Sequence, residues 1–184
     1  MAVIVAAAAI AAATVVLLGG PRLGYLPGIV FSAVVSLIIL WRYPLRIHTR
    51  WFVAALLTAY YAGGALMVGD DVFAHISVGY GTLRYDRGIH VLGAMIAVLM
   101  VADIAKERHP MSGVLVVVIA AAAGFAVEGV ELATALGLPS VFSFDLVDSS
   151  LDVAGNTVGL ALGLVALYWA EHRPIARYRT AGSV

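Results

Sequence analysis

Ser149–Ala170 reads SSLDVAGNTVGLALGLVALYWA, and from Val153 to its end it carries no charge. A run of this length matches the ~20 residues that cross a ~30 Å hydrocarbon core as a helix rising 1.5 Å per residue. Working outward, five more apolar runs precede it: Ala2–Leu18, Leu26–Trp41, Trp51–Val68, Gly88–Ala105 and Gly113–Leu136. Helices are the economical reading, because inside lipid every backbone polar group must find its partner within the protein. Gly19-Gly20-Pro21 and His109-Pro110 break the pattern where two turns should lie. The sequence therefore predicts an all-α integral membrane bundle of about six transmembrane helices, a single transmembrane domain over residues 1–184.

Composition supports that class. Of 184 residues, 62% are hydrophobic and 12% charged, with a mean hydropathy of +1.01. A soluble domain usually carries about 25% charged residues, so this chain has too little polar surface to clothe one. Zero net charge gives no footprint for nucleic acid, and none is expected as a partner. The absence of cysteine excludes disulfides, thiolate metal sites and cysteine nucleophiles. The first run lacks the basic start of a secretory signal and reads as a membrane span, a cleaved signal being the alternative. In the longest connection, Gly69–Arg87, the semi-apolar segment Val72–Val78 suggests a short interfacial or re-entrant helix.

Orientation follows from the basic residues. With the N-terminus inside, Arg42, Arg46, Arg50, Lys106, Arg108, Arg173, Arg177 and Arg179 fall on the inner side. Only Arg22, Arg84 and Arg87 then lie outside, which is the inner excess of positive charge expected of short loops. Trp41, Trp51 and Trp169 fall at the inner boundary, where indoles prefer to sit. The expected placement is a multi-pass protein of the cell membrane, N-in and C-in, with the lipid bilayer as its first partner.

Most acids then gather at the other face: Asp70, Asp71, Asp86, Asp145, Asp148 and Asp152. Glu128 lies ~22 Å along the fifth span, ~8 Å short of the hydrocarbon edge. A carboxylate at that depth is costly and usually faces protein or a wet cavity. Asp86 and His90 are spaced i, i+4 at the start of span four, and Glu128 and Glu131 i, i+3 in span five. Asp148, Asp152 and Asn156 form a stripe entering span six. Beside it Gly155, Gly159 and Gly163 form a ridge that admits a neighbouring helix, with span five expected to pack there. Together these residues would line one outward-facing pocket formed by spans four, five and six.

Each feature also has a structural reading. Asp86 can be an N-cap, and Ser149 with Asp152 resembles a capping box opening span six. His90 and Asn156 lie a turn deeper than a cap and can serve as interhelical hydrogen-bond partners. Arg84 and Arg87 can grip a phosphate or carboxylate headgroup, or simply neutralise Asp86 and its neighbours. His75, i+4 from Asp71, pairs with it only if that segment is helical. His48, His109 and His172, among basic inner residues, read as solvated. A metal site is conceivable from one His, one Asn and several carboxylates, yet no zinc-ligand motif, nucleophile elbow, phosphate loop or dinucleotide fingerprint is present. The sequence identifies no cofactor.

These residues also carry a resemblance. Asp86-Arg87-Gly88-Ile89-His90 resembles the D-[KR]-x-x-H motif that opens a span in VanZ-like membrane proteins. Asp148, Asp152, Asn156, Gly159 and Gly163 are similar to their closing D-x-x-x-D-x-x-x-N-x-x-G-x-x-x-G signature. The pair Glu128 and Glu131 between them resembles the related YjdF-like branch. The match covers Arg84–Leu167, and the first three spans show nothing diagnostic. It implies a bacterial or archaeal cell-envelope protein. The VanZ-type Glu-to-Gln spacing and the arginine that often follows are absent, with Leu138-Pro139-Ser140 and Phe142-Ser143-Phe144 in that region. That departure favours the YjdF-like branch and points away from the antibiotic resistance for which VanZ is named.

Three functions remain open. The leading one is an envelope protein whose pocket, built from Arg87, His90, Glu128, Glu131, Asp148, Asp152 and Asn156, binds a small polar group such as a lipid or cell-wall precursor headgroup. A membrane-embedded hydrolase or transferase would use His90 as general acid or base, oriented by Asp86 or Asp152, with Glu128 tuned by partial burial. A scaffold subunit would use the same polar residues only to lock helices together, with protein partners that the sequence does not name.

Overall fold

The computed structural model of the chain describes residues 2–17, 26–68, 71–72, 77–78, 83–108, 111–137 and 146–172. Six helices hold most of these residues: α1 (Ala2–Leu17), α2 (Leu26–Arg42), α3 (Ile47–Ala65), α4 (Tyr85–Arg108), α5 (Gly113–Gly137) and α6 (Leu146–His172). The fold is all-α, with two minimal antiparallel ladders between α3 and α4. In these β1 (Met67–Val68) pairs with β2 (Asp71–Val72), and β3 (Ser77–Val78) with β4 (Leu83–Arg84).

Helix ends follow local chemistry. Pro27 falls in the first turn of α2, where a missing N–H costs nothing. Pro44 lies just past its end, and a residue before proline is pushed out of helical conformation. α3 stops at Ala65 because Leu66 is extended, although its N–H still bonds to the Ala62 carbonyl at 2.9 Å. The predicted third span ran to Val68, three residues too far, because hydrophobicity does not register the switch into a ladder. Where a short helix was expected over Val72–Val78, Val72 and Ser77–Val78 lie in extended pairs, and residues 73–76 lie outside the described residues. β-branched valines favour that geometry.

α4 (24 residues), α5 (25 residues) and α6 (27 residues) extend ~36–40 Å at 1.5 Å per residue. Two helical stretches among the described residues, Tyr85–Lys106 and Leu146–Ala170, are long and apolar enough to cross a membrane. Ile4–Leu17, Ile29–Arg42 and Gly113–Ala126 are shorter apolar stretches.

α1 packs on both α2 and α3, α3 reaches α4, and α4 in turn packs on α5 and most extensively on α6. One apolar core joins Val5, Val16, Ile29, Val53, Leu57 and Tyr61 to Ile96 of α4. A second gathers Val98, Ala102, Val116, Ala120 and Leu167 from α4, α5 and α6. α4 therefore serves both halves, and its opening turns hold the candidate site against α6.

The glycine ridge decides how close that approach is. A Cβ on Gly159 would sit 2.1 Å from the Val91 carbonyl oxygen and 2.8 Å from Ala94 Cβ. One on Gly163 would meet Val98 Cβ at 2.8 Å and the Met95 carbonyl oxygen at 3.0 Å. The expected partner, span five, is therefore corrected to α4. Spacing identifies which face of α6 is small, but carries no information about which neighbour fills it.

Candidate functional site

The polar stripe of α6 meets a different partner at each turn. Asp148, in the first turn, is held by Arg84 Nη1 at 2.8 Å and Arg87 Nη2 at 3.2 Å. One turn on, Asp152 Oδ2 faces His90 Nε2 at 3.8 Å. A further turn on, Asn156 Nδ2 donates to Glu128 Oε1 at 3.4 Å. His90 completes the circuit, its Nδ1 lying 3.5 Å from the same Glu128 oxygen. The imidazole of α4 thus stands between a carboxylate from α5 and one from α6.

Small residues make the convergence possible. Gly155 sits 3.6 Å from His90 Cβ when its missing Cβ is built, and Gly124 of α5 similarly faces the Asn156 amide at 3.7 Å. An alanine Cβ would make ordinary contacts at either position, whereas a longer side chain would compete for the space that the polar groups use. Asp152 is 7% exposed, and its Oδ1 is buried without a hydrogen-bond partner among the described residues. Glu128 also lines a groove of about 340 Å³ between α5 and α6, with Leu132, Leu146, Ser149, Ser150 and Val153 along its walls. On the other side Asn156 borders a cavity of about 30 Å³ with Gly124, Phe125 and Thr157, enough for a water molecule.

Of the expected site residues, His90, Glu128, Asp152 and Asn156 come together, and Arg87 and Asp148 pair one turn above them. Asp86 does not join His90. Its carboxylate pairs with Arg84 at 2.6 Å and accepts the Arg87 backbone N–H at 2.8 Å, so it serves the first turn of α4 from inside the helix. The expectation that Asp86 orients His90 is corrected, and Glu128 and Asp152 flank the ring in its place. Arg84 and Arg87 spend guanidinium donors on Asp86 and Asp148, the neutralising arrangement rather than an open anion clamp.

The capping box at Ser149 and Asp152 is corrected too. α6 starts three residues earlier, at Leu146, and Ser150 Oγ donates back to the Leu146 carbonyl at 2.7 Å. The side chains of Glu131, Asp71 and Arg108 lie outside the described residues, as do Arg22, Asp70, His75, His109, Asp145, Arg173, Arg177 and Arg179. So do the turns read at Gly19-Gly20-Pro21 and His109-Pro110, and the 138–145 segment.

Sequence reasoning missed a second buried acid. Asp103, near the far end of α4, accepts the Arg46 backbone N–H at 3.1 Å and pairs with the Arg46 guanidinium. Its side chain is 2% exposed. The available signal was an acid inside the fourth apolar run, the same signal that drew attention to Glu128. In comparisons with known proteins, no protein-family model, no curated protein and no solved structure matches the chain.

Proposed function

We propose that the chain is a multi-pass membrane protein of the cell envelope, N-in and C-in, whose α4–α6 site binds a small polar group. A lipid or cell-wall precursor headgroup is the proposed ligand. The observation that carries this reading is the meeting of His90, Glu128, Asp152 and Asn156 between three helices, beside a groove that Glu128 lines. Polar groups are brought together in apolar surroundings at a cost that a shared ligand or wet pocket offsets.

Exposure of large apolar side chains supports the membrane setting. Phe31, Val34 and Ile38 of α2, Val114, Val118 and Phe125 of α5, and Val158, Leu162 and Val165 of α6 face outward. Soluble monomers rarely present apolar surface on this scale, whereas lipid solvates it. Trp41, Trp51 and Trp169 are exposed as well, at the helix ends assigned to the inner interface. The motif resemblance over Arg84–Leu167 makes kinship with the YjdF-like branch of VanZ-like proteins part of the same proposal.

One observation favours a second reading, a hydrolase or transferase acting on a lipid-linked substrate. An imidazole between two carboxylates is suited to moving a proton, and His90 occupies that position. Native mass spectrometry of protein extracted with its lipids tests the binding proposal. The wild type retains a lipid that His90→Ala and Asp152→Asn release, with both variants folded. Loss of folding alongside loss of the lipid would instead identify a scaffold. Turnover of a lipid panel by the wild type alone would favour the enzyme.

A further inference from the structure

His90, Glu128 and Asp152 come from three different helices, and one candidate ligand atom from each lies within 4.8 Å of the others. The imidazole contacts, 3.5 and 3.8 Å, are too long for charge-assisted hydrogen bonds, which run ~2.7–2.9 Å. Ligand atoms sharing a tetrahedral ion at ~2.0–2.1 Å stand about 3.3 Å apart. The two contacts use opposite nitrogens of the ring, and a set with one ring nitrogen and one oxygen from each carboxylate spans up to 4.8 Å, so the side chains close by up to about 1.5 Å onto a shared ion.

Charge and hydrogen bonding point the same way. Arg84 and Arg87 pair with Asp86 and Asp148, and Glu128 and Asp152 both face the same imidazole. Asp152 is more than nine-tenths buried, faces His90, and keeps one buried oxygen without a hydrogen-bond partner. Two carboxylates in an apolar site call for two compensating positive charges, and a protonated His90 supplies one. A divalent cation supplies both.

We propose that His90, Glu128 and Asp152 bind one divalent transition-metal ion. One imidazole nitrogen with two carboxylate oxygens is a donor set suited to Zn²⁺, Mn²⁺ or Fe²⁺, and without thiolate it disfavours Cu⁺. Asn156, donating to Glu128, is the supporting partner that fixes a ligand's orientation. Three protein ligands leave a coordination position open, and one of the three, Glu128, borders a groove of about 340 Å³. The ion would occupy the same cluster that the headgroup proposal invokes, and its binding is measured without lipid.

Detergent-purified protein, stripped with a chelator, is titrated calorimetrically with ZnCl2 and separately with MnCl2. The expected result is one ion per chain, with affinity at least tenfold weaker in His90→Ala, Glu128→Gln and Asp152→Asn. Zinc-edge X-ray absorption of the wild type should show mixed nitrogen and oxygen ligands at ~2.0–2.1 Å, a readout that stands if a variant fails to fold. No bound ion, an affinity unchanged in the folded variants, or a first shell without nitrogen would each overturn the proposal. Lipid retention is not read in this titration, so the headgroup proposal stands or falls on its own measurement.

Discussion

Asp103 and Asp148 are both paired with arginine, yet burial separates what the two pairs contribute. The Asp103 side chain is 2% exposed against 33% for Arg46, whereas Arg84 and Asp148 are 23% and 28% exposed. Removing one partner of a buried pair strands a charge and costs ~3–5 kcal/mol. Arg46→Met should therefore lower stability by about 3 kcal/mol in detergent melts, and adding Asp103→Leu should recover most of it. Asp148→Asn should cost ~1 kcal/mol or less, because a partly exposed pair is screened by solvent. Equal losses from Arg46→Met and Asp148→Asn would contradict this ranking. The partnership itself was not legible in the sequence, because the pair is separated by 57 positions and spacing relates only residues on one element. The same limit misled the reading of Asp86. Its i, i+4 relation to His90 is real, but nearby Arg84 engages the carboxylate first.

Between elements, the α4–α6 seam is graded by its glycines. A Cβ at Gly155 finds ordinary contacts, the nearest at 3.5 Å, whereas at Gly159 it meets backbone at 2.1 Å. Gly155→Ala should be neutral or slightly stabilising, since alanine gains up to ~1 kcal/mol over glycine within a helix. Gly163→Ala should cost about 1 kcal/mol, and Gly159→Ala ~3 kcal/mol or more, as the backbones are forced apart. Thermal melts of the three variants check the order, and a flat series would mean that the seam is not closely packed. The ridge, the polar stripe and the six helices were all legible, because glycine spacing and polar residues within apolar runs stand out in one dimension. Which helix lies against the ridge was not, because α4 and α5 are both apolar and comparable in length. The switch from α3 into short ladders was hidden for a related reason: Met67, Val68 and Val72 are as hydrophobic as a helix end.

In the proposed topology α5 crosses the membrane and the His90 cluster lies toward the outer face. Ser112 just precedes α5, and Ser149 lines the groove near the start of α6. One helix separates them, so a membrane-spanning α5 puts them on opposite sides. The sequence contains no cysteine, so single cysteines at these positions report without background. In intact cells a membrane-impermeant maleimide should label Ser149→Cys directly, and Ser112→Cys only after permeabilisation. Labelling of both from the outside, or of Ser112→Cys alone, would contradict a membrane bundle with an outward-facing site.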